Sequence, residues 1–459
     1  MKRRFHALLV STLFISSHFI STLSIFALLA SATLSHGQTL SHSKTDSEQD
    51  SPTTWVDGNI DPLIQLWVSL HKNPELSFQE VETAARIQQE LEALGIPVTS
   101  NVGGHGIVGI LENGEGPLVM VRTDLDGLPI FEKTNQAFAS TKEVVDESGN
   151  TVGVMHACGH DVHMTSLVGT ARFLVANTDL WSGTIMFIGQ PAEERGAGAM
   201  AMLEDGLYDR FGKPDYALAL HCSAVLPTGS VAIRGGYAMA NVDSVDIHIT
   251  GRGGHGAWPH TTIDPIVIAS RLVLDIQTIV SREVKPIEPA VITVGSIHAG
   301  TKHNIIADDC HLQLTVRSYS DEVRELLIEG IKRKANAAAM SSGAPEPEII
   351  VSEGTPSLSN DDDLAARIST RFGAVLGGEN VIEQEPVMGG EDFSHFGRSG
   401  VPSVLYFLGV VDQRRLDRYV ELGVTPPSLH SAEFYPDVED ALKFGVITMS
   451  SAVLELVGN

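Results

Sequence analysis

Nine consecutive residues in the first half of the chain carry an unusual density of side chains that bind transition metals. The stretch "MHACGHDVH" (155–163) contains His156, Cys158, His160 and His163, with Asp161 among them. Thiolate and imidazole together suit zinc or a related first-row metal. Cys158 and His160 would point apart on a helix, so both reach one ion only from an irregular loop, which Gly159 allows. A buried cysteine beside surface histidines is the plain alternative, but the density of ligands favours a metal site.

A second set of ionisable residues follows three predicted strands. The set comprises Asp124 and Asp126 after residues 118–122, Glu193 and Glu194 after 184–189, and His221 at the end of 216–220. In open parallel sheets the ligand site forms outside the carboxyl ends of the strands. The strands therefore predict that these groups, which are far apart in sequence, meet at one edge of a sheet.

Glu193 and Glu194 are adjacent in "GQPAEERGAG" (189–198). One interpretation is a solvated charge pair at the start of a helix. The apolar strand before the pair and the glycines after it, which permit close backbone approach, favour a buried site instead. Adjacent carboxylates in such a site can divide the work, since one can bind metal while the other moves protons.

The elements that would position these groups alternate between helices and strands. Helical spacing covers residues 62–70, 79–94 and 160–175, and Asp161 is a candidate N-cap of the third helix. The three short apolar strands lie between helical stretches. This alternation predicts an α/β domain with a mostly parallel sheet.

The pattern changes near residue 240. Residues 243–250 ("DSVDIHIT") alternate between polar and apolar side chains, which is typical of a sheet with one solvated face. The rest of this α+β unit is predicted as helix 265–280, strands 290–299 and 310–318, helix 320–339 and strand 348–352. The later segments, which would rejoin the first sheet, are helix 362–376, the loop "MGGEDFSHF", strand 403–408 and a helix from 438. We therefore predict a discontinuous catalytic domain (55–239 and 353–459) with a smaller domain inserted at 240–352.

The first residues of the chain differ from the rest. Lys2, Arg3 and Arg4 precede an apolar run at 5–34, and a Ser- and Thr-rich stretch follows at 35–54. This order predicts a signal peptide in residues 1–36, and hence export to the periplasm or the extracellular space. The apolar run is also long enough to act as an uncleaved membrane anchor.

Charge and cysteine content exclude some classes of protein. The formal net charge is −26 at pH 7, which argues against nucleic-acid partners because they need a basic surface. Contact with a membrane is expected only if the leader is retained. The three cysteines, Cys158, Cys222 and Cys310, are too few for a disulfide framework. One bond between Cys222 and Cys310 stays open but is not predicted.

Five motifs, taken in order and with their spacing, resemble the M20 metallopeptidase family. They are "RTDLDGLPI", "MHACGHDVHM", "GQPAEERGAG", "GRGGHGAWPH" and "LHSAEF". More narrowly, they are similar to its amidohydrolase branch, which hydrolyses auxin conjugates, hippurate and N-acyl amino acids. The likeness extends from about residue 63 to residue 457. It implies a dimetal hydrolase domain with an inserted dimerisation, or lid, domain.

The resemblance also implies roles for individual residues. Two divalent ions per subunit would be bound by Cys158, His160, Glu194, His221 and His430. Glu193 would be the general base. The inserted domain would pair two subunits into a homodimer and present His255 of "GGHGAWPH" to the partner's active site, although a plain loop residue is the alternative. Asn304 of "KHNIIAD" and Arg317 of "LTVRS" match positions that the family uses toward substrate.

The sequence departs from the family pattern at some positions. Asp124 stands where other M20 branches carry a metal-binding histidine, so Asp124 and Asp126 are interpreted as groups that orient the ligands or the loop. His156 and His163 are expected to support the ligands rather than to bind metal. Gly390 replaces the usual Ser, which concerns the shape of the pocket and not its chemistry.

These observations predict dimetal-dependent hydrolysis of the amide bond of N-acyl amino acids or related amino-acid conjugates. An exported dipeptidase or carboxypeptidase would use the same site and differ in pocket and lid. A deacetylase of diaminopimelate intermediates fits less well, because export separates it from cytoplasmic biosynthesis. A non-catalytic metal- or ligand-binding protein is the alternative outside enzymes, and Glu193 argues against it. Zinc or manganese suits the ligands, and cobalt or nickel also fits.

Overall fold

A computed structural model describes residues 51–146 and 148–459, so the predicted leader at 1–36 lies outside the described residues. The helices are α1 (Pro52–Lys72), α2 (Val81–Glu92), α3 (His160–Ala176), α4 (Gly198–Glu204), α5 (Leu207–Phe211), α6 (Pro265–Arg282), α7 (Asp321–Ser341), α8 (Asp362–Leu376), α9 (Ser394–Arg398), α10 (Gln413–Leu422) and α11 (Val438–Val457). The strands of the first half are β1 (Val98–Val102), β2 (Gly106–Asn113), β3 (Leu118–Asp124), β4 (Glu143–Val145), β5 (Thr151–Gly153), β6 (Gly183–Gln190), β7 (Tyr216–Pro227), β8 (Val231–Ile233) and β9 (Gly236–Met239). Those of the second half are β10 (Asn241–Thr250), β11 (Gly254–His255), β12 (Ala290–His298), β13 (Ile305–Ile306), β14 (Asp309–Ser318), β15 (Glu348–Glu353), β16 (Leu358–Asn360), β17 (Val381–Glu383) and β18 (Ser403–Val411).

The larger sheet has eight strands in the order β1-β2-β6-β3-β7-β18-β8-β17. Its centre is parallel, because β3 pairs in parallel with β6 and β7, and β7 pairs in parallel with β18. The antiparallel pairs lie toward the two edges, at β1–β2, β2–β6 and β8–β18. The predicted α/β fold with a mostly parallel sheet is confirmed. The strands that carry the acidic residues, β3 and β6, are direct neighbours.

Successive residues of the central strands supply two hydrophobic cores on opposite faces of this sheet. On β3, Val119 and Val121 belong to the core that also contains residues of α1, α3, α8 and α11, and Met120 points to the other face. There it packs with Met202 and Phe396 of the short helices α4 and α9. Because strand side chains alternate between faces, a strand buried on both sides reads as the continuous apolar run seen in the sequence.

The second sheet is antiparallel and has the order β12-β14-β10-β15. Val245, Ile247 and Ile249 of β10 are buried beneath α6 and α7, and the residues between them are exposed or half-buried. The alternating pattern of residues 243–250 thus has the structural meaning that the sequence predicted. The boundaries 240 and 352 of the inserted domain stay a prediction.

Two helices begin differently from the expectation. The helix predicted at 62–70 begins at Pro52, with Ser51 as N-cap, and it contains Pro62 in its interior. Proline lacks the amide donor and is favoured at a helix start, so the sequence pattern placed the start too late. Asp161 is not the N-cap of α3, because Gly159 with φ 83° holds that position and Asp161 lies in the first turn.

Strand β7 is longer than predicted. It continues through His221 to Pro227, so His221 lies inside the strand rather than at its end. Continued parallel pairing with β18, to Gly409 opposite Ser223 and, after a register shift, to Val411 opposite Pro227, holds the longer strand in the sheet. The cysteines Cys158, Cys222 and Cys310 are all free and buried. Among the described residues, the helices fall short of the length and apolar character that a bilayer-spanning segment requires.

Candidate active site

The loop before α3 brings Cys158 and His160 toward one point, as an irregular loop was expected to do. Ligand atoms of Cys158, His160 and His221 all lie within 4.8 Å of one another. The loop is irregular because Gly159 adopts φ 83°, and a Cβ there would lie only 2.8 Å from Cys222 Sγ. Any other residue at 159 would therefore be strained by both its backbone and its neighbour.

A second group of ligand atoms, from Cys158, Glu194 and His430, also lies within 4.8 Å. His430 Nε2 is 3.2 Å from Cys158 Sγ and 3.6 Å from Glu194 Oε2. His430 is a non-glycine residue with φ 64°. Residues held in this region of backbone space cost free energy and cluster at functional sites, where surrounding structure enforces them. Cys158 belongs to both groups, which places two candidate ion positions side by side.

Hydrogen bonds fix which nitrogen of each histidine faces this cluster. His160 Nδ1 lies 2.9 Å from the Asp126 carbonyl oxygen, and His221 Nδ1 lies 2.8 Å from the Cys222 carbonyl oxygen. A carbonyl oxygen only accepts, so in its neutral form each ring carries its proton on Nδ1 and presents the Nε2 lone pair to the cluster. His160 Nε2 and Glu194 Oε1 are buried without a hydrogen-bond partner among the described residues. Unpaired buried acceptors of this kind fit bound divalent cations.

His163 has both ring nitrogens engaged elsewhere. Its Nε2 accepts a hydrogen bond from the Cys222 amide at 2.9 Å, and its Nδ1 donates to Asp124 Oδ1 at 2.7 Å. This geometry agrees with the expectation that His163 supports the ligands. His156 is also buried, and neither of its ring nitrogens has a partner among the described residues.

Asp124 and Asp126 contact the ligand loops as groups that orient them would. Asp124 Oδ2 lies 3.7 Å from His160 Nε2 and accepts a hydrogen bond from Arg122. Asp126 Oδ2 accepts hydrogen bonds from Ser77 and from the Glu194 amide, at 2.6 and 3.0 Å. Asp126 therefore ties the loop after β3 to the loop after β6.

Burial and neighbouring charge shift the pKa values of the candidate ligands strongly. Burial, together with the charge of Glu194, raises the pKa of the Cys158 thiol well above its usual value. Burial opposes protonation of His160, but the carboxylates of Asp124 and Glu194 outweigh it and raise the pKa of His160 to about 10. Metal binding needs the thiolate and the neutral imidazole, so cations entering this cluster would displace both protons.

Glu193 lies beside the candidate ion positions, but unlike Glu194 its carboxylate also faces two further acidic side chains. Its Oε2 is 3.8 Å from His160 Nε2, and its carboxylate also lies within 4.8 Å of those of Glu391 and Asp392. Burial, followed by the charge of Glu391, raises the pKa of Glu193 well above its usual value. A carboxylate with a raised pKa is suited to general-base chemistry near neutral pH.

A cavity of about 810 Å³ opens over the ligand cluster. Its polar wall includes Cys158, Glu193, Glu194, His221, His430 and Arg317. Its apolar wall includes Leu226, Met239, Val242, Val387, Phe407 and Leu429. The lining thus combines candidate metal ligands, a candidate base, a cation and apolar surface, which is the usual composition of a small-molecule site.

Residues 120–428, well over half of the chain, match the profile of Peptidase family M20/M25/M40. The chain belongs to this family. The resemblance drawn from the five motifs is thereby confirmed, and with it the conclusion that the protein is a metal-dependent hydrolase.

Relatives of this M20 hydrolase carry two kinds of name. "Thermostable carboxypeptidase 2" of Saccharolobus solfataricus is 37% identical over 391 residues, which are 84% of this chain and 93% of the relative. "Hippurate hydrolase" of Campylobacter jejuni is 37% identical over 333 residues, which are 71% of this chain and 82% of the relative. A solved Bacillus subtilis structure described as a dinuclear metal binding peptidase of the M20 family has a TM-score of 0.71 and 31% identity. It covers 87% of this chain and 99% of that one.

Two predicted site residues of the M20 hydrolase lie elsewhere. His255 on β11 and Asn304 belong to a separate exposed segment, where His255 pairs with Ile305 of β13. Neither residue is among the described residues that line the cavity. Arg317, by contrast, lines the cavity, and its Nη1 donates to the Met388 carbonyl oxygen at 2.7 Å.

The sequence interpretation missed Arg122, which is fully buried on β3. Its guanidinium donates hydrogen bonds to four side chains, those of Gln190, Asp124, Glu391 and Asp392. One arginine thus ties the ends of β3 and β6 to the loop that contains Glu391 and Asp392. A signal was available, because an arginine in an otherwise apolar strand is costly to bury unless it is paired.

Proposed function

We propose that this M20 hydrolase cleaves the amide bond of N-acyl amino acids or related amino-acid conjugates with a free carboxylate. The observation that carries the proposal is the cavity itself. It places the ligand cluster, Glu193 and Arg317 around one space with an apolar wall. The name of the relative "Hippurate hydrolase" supports it, because hippurate is an N-acyl amino acid.

The residues assigned as ligands are Cys158, His160, Glu194, His221 and His430. Two divalent ions held there would lower the pKa of a water and polarise the amide carbonyl. The Glu193 carboxylate accepts the proton of the attacking water and passes it to the departing amine nitrogen. The same carboxylate can do both because it is held beside the cluster without being needed as a ligand. Thiolate and imidazole favour zinc, and the carboxylate and imidazoles also suit manganese, cobalt or nickel.

Arg317 is assigned to the carboxylate of the substrate. One of its N–H groups is used by Met388, and a guanidinium has five donors, so others remain for a planar carboxylate. Asn304 is assigned to the substrate as well, from a second subunit. The apolar wall around Leu226, Val387 and Phe407 would receive an aliphatic or aromatic group.

We infer a homodimer that completes this site. Strand β12 is at the edge of the second sheet, where its unpaired backbone groups can join another strand. Exposed apolar side chains of residues 240–352 include Leu274 of α6, Ile297 of β12 and Trp258. A dimer interface that covers any of them would remove apolar surface from water. The segments that carry His255 and Asn304 are joined to each other, because the Gly256 amide donates a hydrogen bond to the Asn304 carbonyl oxygen at 2.9 Å.

The hydrogen bonding of His255 suits a role toward an oxyanion. Its Nδ1 accepts a hydrogen bond from the Ala257 amide at 3.0 Å, which places the proton of the neutral ring on Nε2. The Nε2–H group is therefore available to donate to the negative oxygen of a tetrahedral intermediate in the other subunit.

A carboxypeptidase is the second candidate, because a relative at 37% identity is named as one. A panel of substrates distinguishes the two, with the metal-free protein given zinc, manganese, cobalt or nickel in turn. We expect faster release of amino acid from N-acetyl and N-benzoyl amino acids than from peptides, and little from substrates with an amidated carboxylate. Faster cleavage of N-blocked peptides than of all simple N-acyl amino acids would replace the first function by the second.

We also propose export, which rests on residues 1–36 of the sequence and so lies outside the described residues. The test is N-terminal sequencing of the protein from each cell fraction. A mature N-terminus beyond residue 30 in an envelope or extracellular fraction is expected. An intact Met1 in the membrane fraction would replace export by anchoring, and an intact Met1 on soluble cytoplasmic protein would overturn both.

A further inference from the structure

Three histidines occupy adjacent register positions on three neighbouring strands of the second sheet. His311 of β14 lies opposite His248 of β10 on one side and opposite His298 of β12 on the other. Their chain neighbours Ile247 and Leu312 are buried against α6 and α7, so the three histidines share the outer face. Cβ atoms of directly opposed residues are about 4.5–5.5 Å apart, so the three side chains leave the sheet side by side.

The central histidine of the row is held by a carboxylate. His311 Nε2 lies 2.7 Å from Asp246 Oδ1, and Gln313 Nε2 donates to the same oxygen at 3.1 Å. The rings of His311 and His248 are stacked, with centroids 4.1 Å apart and planes 8° from parallel. Because an ionised carboxylate only accepts, the proton of the neutral His311 ring is on Nε2, and the lone pair on Nδ1 is free.

We propose that His248, His311 and His298 bind one divalent first-row transition metal ion, separate from the active site. Imidazole is the ligand class that suits zinc, nickel and copper in common. A ligating histidine characteristically donates its other N–H to a carboxylate, which is the relationship between His311 and Asp246. Within the described part of the chain, His248 and His298 have no side-chain hydrogen bond, so binding one ion at His311 requires only that the His248 ring turn out of its stack with His311.

The site is distinct from the cavity. Arg317, which lines the cavity, is six positions along β14 from His311, or about 20 Å at the rise of an extended strand. An ion there would link β10, β14 and β12 and so stabilise the sheet that carries the edge strand β12. The alternative is that His311, which is stacked on His248 and hydrogen-bonded to Asp246, binds no ion.

The test counts total metal per subunit after the holoenzyme, with its active-site ions, is dialysed against rising Ni²⁺. We expect the wild type to bind one more equivalent of metal per subunit than His311→Gln or His248→Gln. The rate of hydrolysis should be the same in all three proteins. His105→Gln, in the turn between β1 and β2, is the control and should match the wild type. Asp246→Asn should weaken the extra equivalent ~10- to 100-fold. Uptake by both histidine variants equal to that of the wild type would overturn the proposal, and wild-type affinity in Asp246→Asn would overturn the orienting role.

A second readout is thermal unfolding of the same holoenzyme. An ion that binds only the folded state raises the Tm in proportion to its occupancy. Ni²⁺ should therefore raise the Tm of the wild type and His105→Gln more than that of His311→Gln. Equal increases in all three would also overturn the proposal.

Discussion

His71 Nδ1 lies 2.6 Å from Asp161 Oδ2, and both side chains are buried. His71 is in the last turn of α1, and Asp161 directly follows the candidate ligand His160. The other His71 nitrogen lies 3.3 Å from Glu132. The helix that precedes the catalytic sheet is thus tied to the first turn of α3, next to a candidate metal ligand, by one charged histidine between two carboxylates.

This pairing predicts a pH-dependent stability. Burial disfavours the charged ring, but hydrogen bonds to Asp161 and Glu132 outweigh it and raise the pKa of His71 to about 9. The folded state holds the proton more tightly than the unfolded state, so the stabilisation is complete below pH 6.5, declines above it and is lost above about pH 9. In urea unfolding at pH 6, the free energy of unfolding of His71→Gln should be lower than that of the wild type by on the order of 2–3 kcal/mol.

Subtracting the unfolding free energy of His71→Gln from that of the wild type removes the contribution of other titrating groups that the two proteins share. The difference in unfolding free energy should shrink as pH rises from 6 to 9.5. A difference that is constant across this range would show that His71 acts through packing and not through its charge.

The adjacent residues Glu193 and Glu194 should separate chemistry from metal binding. Glu193→Gln should retain the metal content of the wild type and lose turnover by ~10²–10⁴-fold, because the proton acceptor is gone. Glu194→Gln should lose metal as well, since its carboxylate faces His160 and His430 at 3.8 and 3.6 Å. Metal analysis and steady-state kinetics on both variants make the comparison. Retention of a tenth of the wild-type rate by Glu193→Gln at saturating metal would show the base assignment to be wrong.

The sequence predicted the parts of the site that depend on local pattern. Apolar strands followed by acidic residues indicated where β3 and β6 end, and the strict alternation in β10 indicated a half-exposed strand. The loop around Gly159 was foreseen because Cys158 and His160 cannot converge from a helix. Each of these inferences uses residues within one segment of the chain.

What the sequence did not predict depends on partners that are distant in the chain. Arg122 contacts Glu391 and Asp392 across 269 and 270 positions, and no local pattern indicates which acids will meet it. The extension of β7 past His221 likewise requires β18, whose residues come almost 200 positions later. Pro62 was taken as a helix start because a proline usually is one, and the buried face of α1 overrides that preference.

Gly390 should control the width of the cavity. A Cβ at this position would lie 2.5 Å from Val242 Cγ2 and 2.7 Å from Thr355 Oγ1. Gly390→Ser must therefore shift Val242 of β10, at a cost of ~1–3 kcal/mol in stability. We expect kcat/KM to fall more for N-benzoyl than for N-acetyl amino acids. Gly378→Ser is the matched control, because a Cβ there meets no atom within 4 Å. Equal losses for the two substrates would mean that Gly390 does not shape the pocket.

The position of His255 predicts an active site shared between two subunits. His255 is exposed on β11 and does not line the cavity, and we propose that it acts in the active site of a second copy of the chain. His255→Ala and Glu193→Gln should each be nearly inactive alone, because every site in either homodimer lacks one group. In a heterodimer, one of the two sites has the intact Glu193 of one subunit and the intact His255 of the other. Random exchange of equal amounts should thus recover about a quarter of wild-type activity. The measurement is hydrolysis after mixing, with subunit exchange shown by native mass spectrometry. An inactive mixture in which exchange has occurred, or a fully active monomer, would contradict the role in the partner's site.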